Sequence, residues 1–222
     1  MDTNSRRFSI IMTACDQDYD LKANLPAILE QKYEPGYEVI VIDESSTDET
    51  PDVLKLLKKD YKNLYTTFLP QPQYFVKRKM QALNIGLKAA KNDWIIFQDV
   101  SHKPEDDNIL QAINDTFDTS ADLTLGYLTK KGIKLQAFAD YQEAKDHIVR
   151  KERKMHKPGK SVRHNYRWGR YDFIIVRKRL AVDILKFYEF RLSFWERQSM
   201  RYSVFWKNLF SSYERITYMP KG

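Results

Sequence analysis

Residues 38–48, EVIVIDESSTD, decide the fold of this chain. The apolar run 39–42 reads as a strand buried on both faces, and it ends on the carboxylate of Asp43. Two further runs follow the same plan. Residues 8–14 (FSIIMTA) end on Thr13 and Ala14, and residues 94–99 (WIIFQD) end on Asp99. In an open α/β sheet the carboxyl ends of the strands line one edge, and ligands sit in the crevice there. Three strands that bring Thr13, Asp43 and Asp99 to one rim describe a pocket with hydrogen-bonding and anionic groups. Core strands explain the apolar runs without requiring acids at their ends; the plainer reading of the acids is strand-end turn formation.

The 222 residues suffice for one large α/β domain, or a domain with an appendage. With 42% hydrophobic and 30% charged residues the chain reads as globular, not disordered. Its single cysteine, Cys15, excludes an internal disulfide framework and fits a reducing compartment. The run after residues 1–7 is too short for a signal-peptide core, and no stretch approaches a membrane span. The expected location is cytoplasmic. Charge is divided unevenly: residues 1–120 carry 14 Lys and Arg against 20 Asp and Glu, residues 121–222 carry 23 against 10. The basic half suggests a negatively charged partner or, more plainly, a solvated basic surface.

Strands and helices alternate through residues 8–128. Strands are expected at 8–13, 37–43, 64–69, 94–98 and 122–128. Helices are expected at 21–32, from Thr50 as N-cap with Pro51 in the first turn, at 77–90, and at 105–117. This order predicts a mostly parallel sheet covered on both faces. Further along, residues 133–154 read as a long amphipathic helix, 171–176 as a late strand and 179–187 as a helix. The tail from Phe190 to Tyr218 interleaves arginine with aromatic residues and has no legible secondary structure.

A dinucleotide-binding turn would need glycines after the first strand. Residues 13–18, TACDQD, contain none, and no GxxxxGK[ST] loop occurs. Four segments instead resemble the family 2 glycosyltransferases, GT-A-fold enzymes that use nucleotide-sugar donors. Residues 8–14 are similar to the family's opening strand, and EVIVIDESSTD to its "EIIVVDDGSTD" signature. KMQALNIG at 79–86, followed by Ala89 and Ala90, resembles "GKAxALNxGxxxA", and WIIFQDVS at 94–101 sits where the family writes "YVLFLDAD". A fainter likeness continues through 169–176.

The resemblance implies a GT-A domain in two continuous parts, a nucleotide-sugar-binding α/β half at 1–130 and an acceptor-side half at 131–222. It implies that Thr13 and Ala14 line the base pocket, that Asp43 accepts a hydrogen bond from the base, and that Ser45 belongs to the same nucleotide-binding set. Lys79 would lie near base or phosphates, and Asp99 would face the ribose and a divalent metal, Mn²⁺ or Mg²⁺. Each has a plainer reading: Lys79 as a solvated helix residue, Asn84 and Gly86 as packing residues, Asp48 and Thr50 as helix caps.

The chain also departs from the pattern. Ser101 replaces the second acid of the family's DxD, and a hydroxyl is a poor ligand for a hard cation. His102 is a candidate to assist Asp99 at the metal. In a metal-free alternative, Arg163, His164, Arg167 and Arg170 neutralise the diphosphate. No "ED" pair follows Arg177, so Glu196 is the candidate catalytic base.

The expected activity is transfer of a sugar from a nucleotide sugar to a carbohydrate or lipid-linked acceptor, with inversion, in glycan or cell-surface polysaccharide synthesis. The aromatic and basic tail suits peripheral contact with the inner membrane face; a dimer contact or a lid would use the same residues. Two rivals stand beside this reading: a catalytically degenerate member of the fold that binds nucleotide or a partner, and a basic nucleic-acid-binding module. The acidic rim of residues 1–120 argues against nucleic acid as a partner.

Overall fold

The computed structural model describes residues 6–70, 78–129, 132–140, 142–144, 147 and 171–183. Among them are seven strands: β1 (Phe8–Ala14), β2 (Tyr37–Asp43), β3 (Leu64–Phe68), β4 (Trp94–Gln98), β5 (Leu123–Thr129), β6 (Gly132–Phe138) and β7 (Phe173–Arg177). The helices are α1 (Asp18–Leu29), α2 (Thr50–Asp60), α3 (Arg78–Ala89) and α4 (Ile109–Thr116). One sheet has the order β3-β2-β1-β4-β7-β5-β6. β1 pairs in parallel with β2 and β4, and β2 with β3. β7 lies antiparallel between β4 and β5, and β6 is antiparallel to β5. Five of these seven strands therefore run the same way.

Alternation along the central strands builds a core on each face. Phe8, Ile10 and Met12 of β1 join Val39, Val41, Ile96 and Ile175, covered by Leu21, Leu25 and Ile28 of α1, Val53 and Leu54 of α2, and Leu110 and Ile113 of α4. Ile11, Ile40, Ile42, Ile95 and Ile174 face the other way, under Ala82, Leu83 and Leu87 of α3. Gly86 lets α3 lie directly on the sheet: a Cβ there would stand 2.6 Å from Ile11 Cγ2 and 2.9 Å from Ile42 Cδ1. All seven β1 residues are buried, so the strand carrying Thr13 and Ala14 is a rigid base for the rim.

The first residue of the deciding stretch is structural. Glu38 Oε1 accepts from Ser9 Oγ (2.7 Å) and from the Lys91 backbone N–H (2.6 Å), at the end of the sheet away from Asp43. At that same end the Arg177 guanidinium lies 4.4 Å from the Trp94 ring centroid, and Trp94 meets Phe117 edge-on at 4.6 Å.

Four sequence expectations change, the first being helix α1, expected at 21–32 and found three residues earlier at Asp18–Leu29. Residues 132–138, read as the start of a long helix, form edge strand β6: Ile133 and Leu135 are half-buried while Lys134 between them is exposed. That period of two lays the residues against β5, with Gly132 at φ +111° at the turn. Helix α4 begins four residues later than expected, where the Gln31 side-chain oxygen accepts from the Ile109 N–H at 2.9 Å. Thr50 is the first residue of α2, not its cap, because Asp48 performs that task. Residues 178–183 are helical; the rest of the expected helix to 187, and the tail, lie outside the described residues.

Candidate functional site

The register fixes the geometry of the rim. Ala14 stands beside Asp43, and Ile11 beside Phe97 on the opposite side of β1. Asp43 and Asp99 therefore flank the end of β1 at the same edge of the sheet, two strand spacings or about 10 Å apart. Thr13, Ala14 and Asp43 are buried, Asp43 with 6% of its surface exposed. The loops behind β1 and β2 are tied to each other. Glu44 N–H donates to the Ala14 carbonyl (2.8 Å), Asp16 N–H to Ser46 Oγ (2.9 Å), and Thr47 N–H to Asp16 Oδ1 (2.7 Å). Asp43 Oδ1 accepts from Ser46 N–H at 2.9 Å, which orients the carboxylate. Asp16 and Ser45 hold left-handed backbones, φ 51° and 61°; such residues cost about 1 kcal/mol each, offset here by these bonds and by Ser45 Oγ donating to the Leu69 carbonyl.

Asp48 joins two helices. Its Oδ1 accepts from Thr50 N–H (2.9 Å) and its Oδ2 from Asp18 N–H (3.2 Å), so one carboxylate serves the first turns of α2 and α1. Burial pushes its pKa up, but the hydrogen bonds from Thr50 and Asp18 prevail and hold it below the ordinary value. A lowered folded-state pKa means the stabilisation is fully present above the unfolded value and fades as pH falls through the folded one. Asp48→Ala is expected to lower stability by about 2 kcal/mol at neutral pH, with the deficit shrinking as pH falls below the ordinary carboxylate pKa; urea denaturation across pH measures both.

The turn after β4 carries the second acid. Asp99 Oδ1 accepts from Ser101 N–H (3.0 Å) and from Ser101 Oγ (2.8 Å), so Ser101 braces Asp99. Buried Asn24 of α1 donates to the Val100 carbonyl at 2.9 Å and fixes this turn. His102 Nε2 lies 3.3 Å from Asp172 Oδ1. Asp172 is itself held by β5: its N–H donates to the Gly126 carbonyl (2.8 Å) and its Oδ2 accepts from Leu128 N–H (2.6 Å).

Sequence reasoning missed Asn24 and Asp172. Asp172 reaches the rim only because β7 runs antiparallel to β4, with Phe173 opposite Gln98. The same reversal carries Arg177 to the far edge. Lys79 lies in the first turn of α3, its side chain outside the described set. Arg163, His164, Arg167, Arg170 and Glu196 also lie outside it. Among the described residues no group of three or more His, Cys, Asp or Glu is placed to hold a metal ion.

The model of the family described as "Glycosyl transferase family 2" matches residues 9–181, from β1 into the helix after β7. The chain belongs to glycosyltransferase family 2. This family 2 chain is 26% identical over 134 residues to the poly(ribitol-phosphate) beta-glucosyltransferase of Bacillus spizizenii, a match covering 57% of this chain and 19% of that protein. It thus spans about a fifth of that relative. Among solved structures, 4-diphosphocytidyl-2C-methyl-D-erythritol synthase from Anaerococcus prevotii is 13% identical with a TM-score of 0.53, over 91% of this chain and 83% of that one, a likeness of fold. TarS 1–349 of S. aureus in complex with UDP-GlcNAc is 21% identical with a TM-score of 0.46, over 55% of this chain and 34% of that one. The mannosyltransferase PcManGT of Pyrobaculum calidifontis, in complex with GDP-Man and Mn²⁺, is 23% identical with a TM-score of 0.46, over 55% and 35%. The family 2 chain has the GT-A arrangement, a mixed sheet flanked by helices.

Proposed function

We propose that this family 2 chain transfers a sugar from a nucleotide-sugar donor to a carbohydrate or lipid-linked acceptor, with inversion, in the synthesis of a glycan or cell-surface polysaccharide. The observation that carries the reading is the placement of buried Asp43 and of Asp99 on either side of the β1 end, at one edge of the sheet. Thr13, Ala14 and Ser45 line the base pocket, Asp43 accepts an in-plane N–H of the base, and Asp99 faces the ribose and diphosphate. Lys79, at the start of α3, supplies positive charge to the nucleotide.

The oxygens at the β4 end suit a hard cation only in part. Asp99 offers a carboxylate, but the Ser101 hydroxyl is turned onto it, and His102 presents Nε2 to Asp172 while its Nδ1 is buried. This set fits a cation held by one carboxylate and by the donor's own phosphates, a mode natural to Mg²⁺. When bound, such a cation neutralises charge on the leaving diphosphate. In the metal-free alternative Arg163, His164, Arg167 and Arg170 neutralise the diphosphate instead; the described chain resumes at Tyr171, next to Asp172 at the rim.

In the transfer step the acceptor hydroxyl oxygen attacks the anomeric carbon as the bond to diphosphate oxygen breaks, and Glu196 takes the hydroxyl proton. Contact of the basic aromatic tail with the inner membrane face would bring a lipid-linked acceptor within reach. Among the described residues no helix is long and apolar enough to cross a membrane.

Thermal-shift titration with UDP, GDP and dTDP, with and without Mn²⁺, tests the reading. At least one nucleotide is expected to raise the melting temperature of the wild type and to raise that of Asp43→Ala much less. No stabilisation by any of them would contradict it. Ser101 favours a second reading, nucleotide binding without transfer; binding with no donor hydrolysis or transfer across a panel of acceptors would select it.

A further inference from the structure

Phe68, the last residue of β3, is 67% exposed. An exposed aromatic means little by itself, but its place in the register does. β3 sets Phe68 beside Asp43, and β2 sets Asp43 beside Ala14. Partners on adjacent parallel strands share a face of the sheet. Leu64, Val39, Val41 and Ala14 belong to one core, so alternation puts Phe68, Asp43 and Ala14 on that face. The result is a row at the rim: a methyl group, a buried carboxylate and an exposed ring.

The chain is pinned immediately after Phe68. Leu69 N–H donates to the Asp43 carbonyl at 2.7 Å, and Ser45 Oγ donates to the Leu69 carbonyl. The other exposed large apolar residues among the described residues lack this setting. Tyr65 lies under the Lys58 ammonium at 5.6 Å, Leu56 is on the outer side of α2, and Tyr19 is in the first turn of α1. Phe68 alone among them adjoins a buried carboxylate in register.

A flat ring beside a fixed acceptor suits a flat ligand with an N–H donor at its edge. A nucleobase has both a π face and in-plane donors, whereas the hydroxyls of a sugar project from a puckered ring. Resting on the function proposed above, we propose that Phe68 stacks on the nucleobase of the donor while Asp43 reads its edge. Phe68 is then a binding residue for the nucleobase, and the sugar has no part in the contact.

Isothermal titration tests this with whichever of UDP, GDP or dTDP binds the wild type most tightly, and with inorganic pyrophosphate. Stacking predicts that Phe68→Ala weakens nucleotide binding by roughly tenfold or more. Phe68→Tyr should stay close to wild type, Leu56→Ala should be silent, and pyrophosphate should bind all variants alike. Nucleotide binding by Phe68→Ala equal to wild type, or an equal loss toward pyrophosphate, would overturn the proposal while leaving the function intact. A wild type that binds no nucleotide would overturn both. The exposed position means Phe68→Ala should fold, which its melting temperature checks.

Discussion

Asp99→Asn is expected to slow release of nucleoside diphosphate from the donor by about a hundredfold to a thousandfold, with the melting temperature nearly unchanged. The asparagine side-chain oxygen can still accept from Ser101 N–H and Oγ, the two bonds that shape the turn. What disappears is the negative charge that the proposed function sets against ribose and cation. Ser101 supplies no second carboxylate to compensate, so the loss should exceed that expected where two acids share a cation. Donor hydrolysis measured without acceptor is the readout, since it needs no knowledge of the acceptor. A variant as fast as the wild type would remove Asp99 from the chemistry.

The second large effect concerns the joint between β5 and β7. A Cβ at Gly126 would stand 2.1 Å from Phe173 Cε2 and 2.2 Å from Cζ, and Phe173 is itself buried in the sheet's core. The ring cannot swing into solvent, so Gly126→Ala is expected to cost about 3 kcal/mol, at the upper end for overpacking. Phe173 follows Asp172, whose N–H bonds the Gly126 carbonyl, so the strain reaches the His102 partner as well. Denaturant unfolding of Gly126→Ala, Phe173→Leu and the double variant gives the coupling. The double variant should be more stable than the sum of the single losses predicts; strict additivity would mean the ring is not the obstacle.

The half of the fold built from local pattern was legible in the sequence. β1, β2 and β4 announce themselves as apolar runs, and because parallel strands place their carboxyl ends at one edge, the sequence alone puts Asp43 and Asp99 on one rim. Gly86 was readable as a packing residue, though only the approach of α3 to Ile11 and Ile42 shows why a side chain is excluded. What was not legible depends on pairing between distant segments. β6 carries apolar residues at 133, 135, 137 and 138, which satisfy a helix-like count until β5 supplies the partner that makes alternation meaningful. The insertion of β7 between β4 and β5 has no local signal, yet it brings Asp172 to His102 and sends Arg177 away to stack on Trp94. Thr50 looked like a cap because it precedes a proline; that Asp48 caps two helices at once depends on how closely α1 and α2 start.

Determining the structure with a bound nucleoside diphosphate tests the central claim most directly. The base is expected at the carboxylate of Asp43, with the diphosphate extending past the end of β1 toward Asp99. A nucleotide bound elsewhere, with neither aspartate within hydrogen-bonding or cation-bridged reach, would contradict it.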